Sequence, residues 1–336
     1  MTKSKVAVVI PIYNESALIG ELSRRLRAVF AGIPDVDFCV ILVNDGSTDH
    51  SLGLLLEEHA RDPRLTILNL SRNFGHQAAI TAGLAHADAD AVVIMDGDLQ
   101  DPPELIGELL SQWRQGGEVV RAQRRSRGER GLRRVGFWLF HRTFSWISDF
   151  PIPAESGVFS LLDRQALVAL QNMPEKNRFL PGMRAWIGFD QRTVYYDRSD
   201  RAAGAPKQTL FRLARYAMDG ILSFSYKPLR LMMGAGVFIS ALGFSLALYF
   251  ILKRLLDIEP AQTGFTTLVT LVLFLGGIQL IAIGLIGEYL GRVYDEVKQR
   301  PMYIVKERHG PAAQPETVRH VAASVDEEPP RLNPSP

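Results

Sequence analysis

The chain has 336 residues, enough for one large domain or two, and its 38 Lys and Arg against 36 Asp and Glu leave a net charge of only +2. That balance creates no field for gathering polyanions, so nucleic acid is not an expected partner. The single cysteine, Cys39, lies in the apolar run 38–42, which excludes a disulfide framework and reads as a buried strand residue in a reducing compartment.

Residues 6–12 read as an apolar strand, too short and without the small-residue cleavage site of a secretory leader, so the polar part of the chain is expected to begin in the cytosol. Asn14-Glu-Ser16 then offers a helix start, with Leu18, Ile19, Leu22, Leu26, Val29 and Phe30 at helical spacing. A second strand over 38–43 ends in Asn44-Asp-Gly-Ser-Thr-Asp49, a loop with a turn glycine and capping side chains. A third strand over 65–70 runs into Ser71-Arg-Asn-Phe-Gly75 and a helix to Ala85, and a fourth occupies 91–95. Strands alternating with helices predict an α/β domain with a mostly parallel sheet covered on both faces. Ligands bind such sheets beyond the carboxyl ends of the strands, where the polar clusters 11–15, 44–49, 71–77 and 96–101 all fall.

The last cluster, Asp96-Gly-Asp98-Leu-Gln100-Asp101, carries the most chemistry. In extended chain, Asp96, Asp98 and Gln100 share one side. Two converging carboxylates repel unless a cation lies between them, and oxygen ligands of this kind suit Mg²⁺ or Mn²⁺, which complete their shells with water and substrate phosphates. An EF-hand is excluded, because its positions six and twelve would be Asp101 and Gly107. No dinucleotide-binding glycine fingerprint, ATPase phosphate loop, Gly-x-Ser-x-Gly elbow or His-Glu-x-x-His motif is present.

A basic run, Arg121, Arg124, Arg125, Arg127, Arg130, Arg133 and Arg134, is expected just after the fifth strand. Most of it reads as a solvated or headgroup-facing surface. Residues 201–230 interleave basic and aromatic side chains ahead of the bilayer. Residues 231–252 and 265–286 each give 22 positions without formal charge, close to the roughly 20 that cross a bilayer core as helix. Lysine and arginine counts put the flanks inside and the hairpin tip outside, so both termini and the N-terminal α/β domain are expected on the cytoplasmic side of a plasma (inner) membrane, with the protein multi-pass. Residues 291–308 form a post-membrane segment, and 309–336, rich in Pro, Ala and charge, a disordered tail.

Pro11-Ile-Tyr-Asn-Glu15, Asn44–Asp49, Ser71–Gly75 and Met95–Glu104 together resemble the motif series of family 2 glycosyltransferases with the GT-A fold. More narrowly, the chain is similar to bacterial polyprenyl-phosphate glycosyltransferases, relatives of dolichol-phosphate mannose synthase. Gly182-Met-Arg-Ala-Trp-Ile-Gly-Phe189, Asp219–Ser225, Pro228-Leu-Arg230 and the stretch from Ile286 to Lys298 resemble that group too. The likeness spans roughly residues 5–306. It implies a GT-A domain over 1–200 followed by a transmembrane hairpin over 231–290. The implied reaction is metal-dependent, inverting transfer of a sugar from a UDP- or GDP-linked donor to a polyprenyl phosphate in the lipid bilayer.

By resemblance, Pro11, Tyr13, Glu15 and Asp45 line the nucleotide pocket, and Asp96, Asp98 and Gln100 handle metal and diphosphate. Arg201 and Lys207 close over the donor phosphates, Arg124 and one of Arg133 or Arg134 bind the acceptor phosphate, and Glu155 contributes a catalytic carboxylate. Val158 and Ser160 stand where the family often has an acid and a base, and Gly97 where alanine is common. A processive polysaccharide synthase is the alternative, but its Gln-x-x-Arg-Trp motif is absent. A non-catalytic scaffold would be favoured by loss of Glu15 or Asp98, which are both present. Homo-oligomerisation is left open by the sequence.

Overall fold

The computed structural model describes residues 3–124, 157–176, 178–196, 227–255 and 264–311. In chain order its elements are β1 (Ser4–Ile12), α1 (Ile19–Ala31), β2 (Val36–Asn44), α2 (Ser51–Arg61), β3 (Leu65–Leu70), α3 (His76–Ala85) and β4 (Ala91–Ile94). A 3₁₀ turn (Pro103–Leu105) leads to α4 (Ile106–Arg114), β5 (Val119–Arg124), β6 (Ser160–Asp163), α5 (Arg164–Gln171), α6 (Leu180–Trp186) and β7 (Gln191–Tyr196). The long helices α7 (Lys227–Leu255) and α8 (Phe265–Val297) precede a short β8 (Val305–His309).

The eight strands form one sheet in the order β7-β5-β6-β4-β1-β2-β3-β8. Strands β1 to β4 are mutually parallel, while β6 runs antiparallel to both β4 and β5, and β8 antiparallel to β3. Two reversals restore direction, so β5 and β7 point the same way as β1 to β4 and end at the same edge. Strand periodicity divides β1 between two cores. Val6, Val8, Ile10 and Ile12 pack with Leu22, Leu26 and Phe30 of α1 and Leu109 of α4. Ala7 and Val9 face the other way, onto Ala79 and Ile80 of α3 and Leu167 of α5. Each fully buried aliphatic side chain contributes about 1.5–3 kcal/mol, which is why these strands read as continuous apolar runs.

Three expectations are corrected. The first helix begins at Ile19, not at Asn14–Ser16, because the polar groups of that stretch are taken by the neighbouring loop. Arg121 and Arg124 lie inside β5 rather than after it. The sheet also recruits residues 305–309, beyond the expected boundary of the domain near residue 200. The expected spans 231–252 and 265–286 fall inside α7 and α8, whose large apolar side chains, among them Phe238, Phe244, Phe274 and Leu280, point outward and exposed. The hairpin tip and the tail beyond residue 311 lie outside the described residues.

Candidate active site

The four polar clusters meet at the carboxyl edge of β1 to β4, and hydrogen bonds join them into one rim. After β1 the chain turns at Asn14, which adopts φ 54°. Asn14 N–H donates to Ser47 Oγ at 3.0 Å, and Thr48 N–H returns a bond to Asn14 Oδ1 at 2.8 Å. Glu15 N–H donates to Ser51 Oγ, and Asp49 accepts from the backbone N–H groups of Ser16 and Ser51. Although burial opposes ionisation of Asp49, these bonds hold its pKa down at about 2.

Asp45 ties in the third cluster. It is 3% exposed, and its two oxygens accept Phe74 N–H at 2.7 Å and Gly75 N–H at 3.0 Å. Gly46 makes the crossing feasible. A Cβ there would lie 2.3 Å from the Arg72 carbonyl carbon and 2.4 Å from Asn73 N, and φ is +63°. Thus Asp45, expected to line the nucleotide pocket, has both oxygens engaged in pinning one rim loop to the next. Pro11 is buried within β1, Glu15 is half-buried, and Tyr13 projects from the rim with 46% exposure.

The acidic cluster is not extended. β4 stops at Ile94, and residues 97–98 form a turn with Leu99 at φ 57°. Period-two alternation therefore does not govern Asp96, Asp98 and Gln100. Within this stretch Gln100 backbone N–H donates to Asp98 Oδ1 at 3.1 Å, while Asp96 Oδ1 lies 2.8 Å from His76 Nε2. Gly97 sits against β1, where a Cβ would come within 2.5 Å of Ile12 Cδ1. An alanine here would require the Ile12 terminus to turn aside and would press on the Pro11 carbonyl oxygen at 3.1 Å.

His76, at the start of α3, was given no role by the sequence, although it follows directly on the Ser71–Gly75 motif at a strand end. Burial works against its protonation. The bond to Asp96 and the charges of Asp96, Asp45 and Asp98 outweigh that and raise its pKa above the ordinary value. The same acidic field would draw a cation. Among the described residues no three His, Cys, Asp or Glu side chains form a ready-made metal set. Two half-buried carboxylates in one turn do fit an ion such as Mg²⁺ or Mn²⁺, which takes one or two carboxylates and fills its shell from water and substrate phosphates. Asp96 and Asp98 would hold it.

Beyond the turn, buried Asp101 accepts from Tyr196 Oη at 2.5 Å, which ties the end of β7 to the acidic turn. Arg124 ends β5, exposed and in register with Tyr196. One strand, β6, separates β5 from β4; Arg121 is level with Ile94 through Ser160, and Arg124 lies three residues, about 10 Å, farther along β5. Arg121 donates to Thr193 Oγ1 at 3.2 Å, and burial lowers its pKa. Val158 and Ser160 are buried, the serine hydroxyl donating to the Val158 carbonyl. Buried Arg184 of α6 donates to the carbonyls of Gly157 and Val158, fixing the chain directly after the Glu155 motif. Glu155, Arg134, Arg133, Arg201 and Lys207 lie outside the described residues.

Comparison with known proteins settles the family. The glycosyl transferase family 2 model matches residues 7–170, and the GtrB C-terminal hairpin model matches 227–293. YkcC of Bacillus subtilis (strain 168), an uncharacterized glycosyltransferase, is 42% identical over 305 residues, covering 90% of this chain and 94% of that protein. The chain belongs to the family 2 glycosyltransferases. It is an enzyme of glycosyl transfer with a membrane-associated C-terminal hairpin. The SfII prophage-derived bactoprenol glucosyl transferase of Shigella flexneri is 36% identical over 307 residues, 91% of this chain and 98% of that one. A solved mannosyltransferase, PcManGT from Pyrobaculum calidifontis, aligns over 84% of this family 2 chain and 87% of its own at 17% identity, with a TM-score of 0.43.

Proposed function

We propose that this enzyme transfers a sugar from a nucleotide-diphosphate sugar to the phosphate of a membrane polyprenol. The observation that carries it is one rim holding the acidic turn, the interlocked loops 11–16 and 44–51, and Arg124, in a chain that continues into an outward-facing apolar hairpin. Relatives at 35–36% identity are bactoprenol glucosyl transferases, which makes a glucose donor the first to test.

The acceptor phosphate, with a second pKa of about 6, is already largely dianionic at neutral pH and needs little general-base help. The harder task is to bring two anions together and stabilise the departing diphosphate. A divalent metal, when bound, supplies Lewis-acid stabilisation of that leaving group. Asp96 and Asp98 would hold the metal, Gln100 would serve with them at the metal and diphosphate, and Pro11, Tyr13, Glu15 and Asp45 would shape the nucleotide pocket. Arg201 and Lys207 close over the donor phosphates. Arg124 and Arg134 grip the acceptor phosphate with bidentate forks, and Glu155 orients the reacting sugar and acceptor. In-line attack inverts the anomeric centre.

The test feeds purified protein a panel of UDP- and GDP-sugars with polyprenyl phosphate and identifies the lipid product by mass spectrometry. Chelator should silence the reaction, Mg²⁺ or Mn²⁺ should restore it, and Asp98→Asn should abolish it in a folded protein. Full turnover in excess chelator would refute the metal, and no lipid product with any donor would refute the function. We further propose that α7 and α8 both cross the plasma membrane with the catalytic domain and both termini cytoplasmic. A cysteine from Gln262→Cys should then react with an impermeant thiol reagent from outside, against a native Cys39 thiol that burial pushes up in pKa. Labelling only from the cytoplasmic side would reverse the orientation.

A further inference from the structure

A transferase that joins a soluble donor to a bilayer-borne acceptor has to hold its cleft at a workable height above the membrane. In this chain the connection between bilayer and cleft is rigid at two places. Helix α8 has 33 residues, about 50 Å, whereas its uncharged run ends at Gly287. The last 10 residues, about 15 Å of helix, carry the Glu288–Arg292 ion pair with Asp295 and Glu296 and lead from the apolar run to the catalytic domain.

The tip of this pillar does not end in solvent. Lys176, in the loop between α5 and α6, donates through Nζ to the carbonyls of Asp295 at 3.1 Å and Glu296 at 3.2 Å, and its backbone N–H donates to Glu296 Oε1 at 2.7 Å. Both carbonyls belong to the last turn, where the helix dipole is negative and suits a cation; that of Glu296 also accepts Gln299 N–H at 3.1 Å, so Lys176 adds to a backbone cap already in place. Only six residues then separate Val297 from Ile304, a reach of no more than about 25 Å. Ile304 accepts Ser71 N–H at 2.9 Å, and β8 begins beside Leu70, at the carboxyl edge of β3. Tyr303 and Val305 pack on the second core cluster. Ser71 opens the loop whose end carries His76, the partner of Asp96.

We propose that Lys176 is a positioning residue. By capping α8 from the catalytic domain, it fixes the rim at a set height over the bilayer and so serves acceptors embedded in the membrane. The inference rests on the function proposed above. An isolated exposed lysine is normally of little account. Here, three bonds from one residue clamp a helix end, and the second anchor at β8 turns a pivot into a bracket.

The test uses the full-length enzyme in lipid nanodiscs with two acceptors, a long polyprenyl phosphate in the bilayer and a short, water-soluble prenyl phosphate. Lys176→Ala should lower kcat/KM for the embedded acceptor five- to tenfold, leaving the soluble acceptor and the donor KM within twofold. Lys176→Arg, which still donates to carbonyls, should recover most of the loss. Should Lys176→Ala fail to fold, Glu296→Ala opens the same joint from the helix side and should give the same selectivity. Equal loss with both acceptors would make the joint merely structural and overturn the proposal, as would no loss with either. Wild-type enzyme that uses neither acceptor would instead overturn the function on which it rests.

Discussion

Replacing Asp45 by asparagine separates two roles that one carboxylate could have on this rim. In the structure the buried side chain accepts Phe74 N–H at 2.7 Å on one oxygen and Gly75 N–H at 3.0 Å on the other. Asparagine keeps one acceptor and turns an amide NH₂ towards the second N–H. Bonds to a charged group contribute about 1.5–3 kcal/mol each. Both backbone groups are half-buried, so water replaces part of the loss, and a local cost of about 2 kcal/mol follows. At 1.4 kcal/mol per tenfold, this is roughly a 30-fold larger opening constant for the 71–75 loop. Hydrogen exchange read by mass spectrometry over peptides spanning 70–78 should show Phe74 and Gly75 exchanging faster by about that factor, with β2 unchanged, and donor KM should rise. Unchanged exchange would refute the bridging role. Unchanged exchange with lost donor affinity would show that Asp45 acts on the nucleotide directly.

The pKa of Asp49 is held from its ordinary 3.8 down to about 2, so it contributes stability that is complete above about pH 4 and lost as pH falls towards 2. Asp49→Asn should flatten that part of an acid-unfolding curve; an identical acid limb in the variant would exclude Asp49. Arg124→Ala should weaken use of polyprenyl phosphate roughly ten- to a hundredfold while leaving nucleotide-sugar binding nearly unchanged, and Arg124→Lys should recover only part. Donor calorimetry with acceptor kinetics decides this: equal loss of both would move Arg124 to the donor, and no loss would return it to solvent.

The parallel half of the fold was legible because a strand buried on both faces is apolar at most positions, as in Val6–Ile12, Leu65–Leu70 (with only Thr66 and Asn69 polar) and Ala91–Ile94. The same physics hid β7 and β8. Val-Lys-Glu-Arg-His is paired on one side only and mostly exposed, so nothing in its pattern demands a sheet. The rim was located by its polar clusters, but its internal wiring was not. Ser47, Asp49 and Ser51 look like helix caps in sequence, yet they bond the loop after β1, which delays α1 to Ile19. A strand-like reading of 96–100 failed because Leu99 takes a left-handed conformation that an apolar residue rarely announces. His76 was visible as a titratable residue after a strand end, but its meeting with Asp96 depends on the tertiary placement of α3 across β1 and β2.

The pairing of β8 with β3 also sets an order of events during synthesis. Asn69 and Glu307, opposite each other in the finished sheet, are 238 residues apart. At about 5–20 residues per second, a ribosome needs roughly ten to fifty seconds to travel from one to the other. Throughout that interval β3 has an unpaired edge, and both apolar helices emerge before its partner strand exists. The catalytic sheet of this enzyme is therefore completed only after its hairpin has been made, which couples maturation of the donor rim to delivery of the nascent chain to the bilayer.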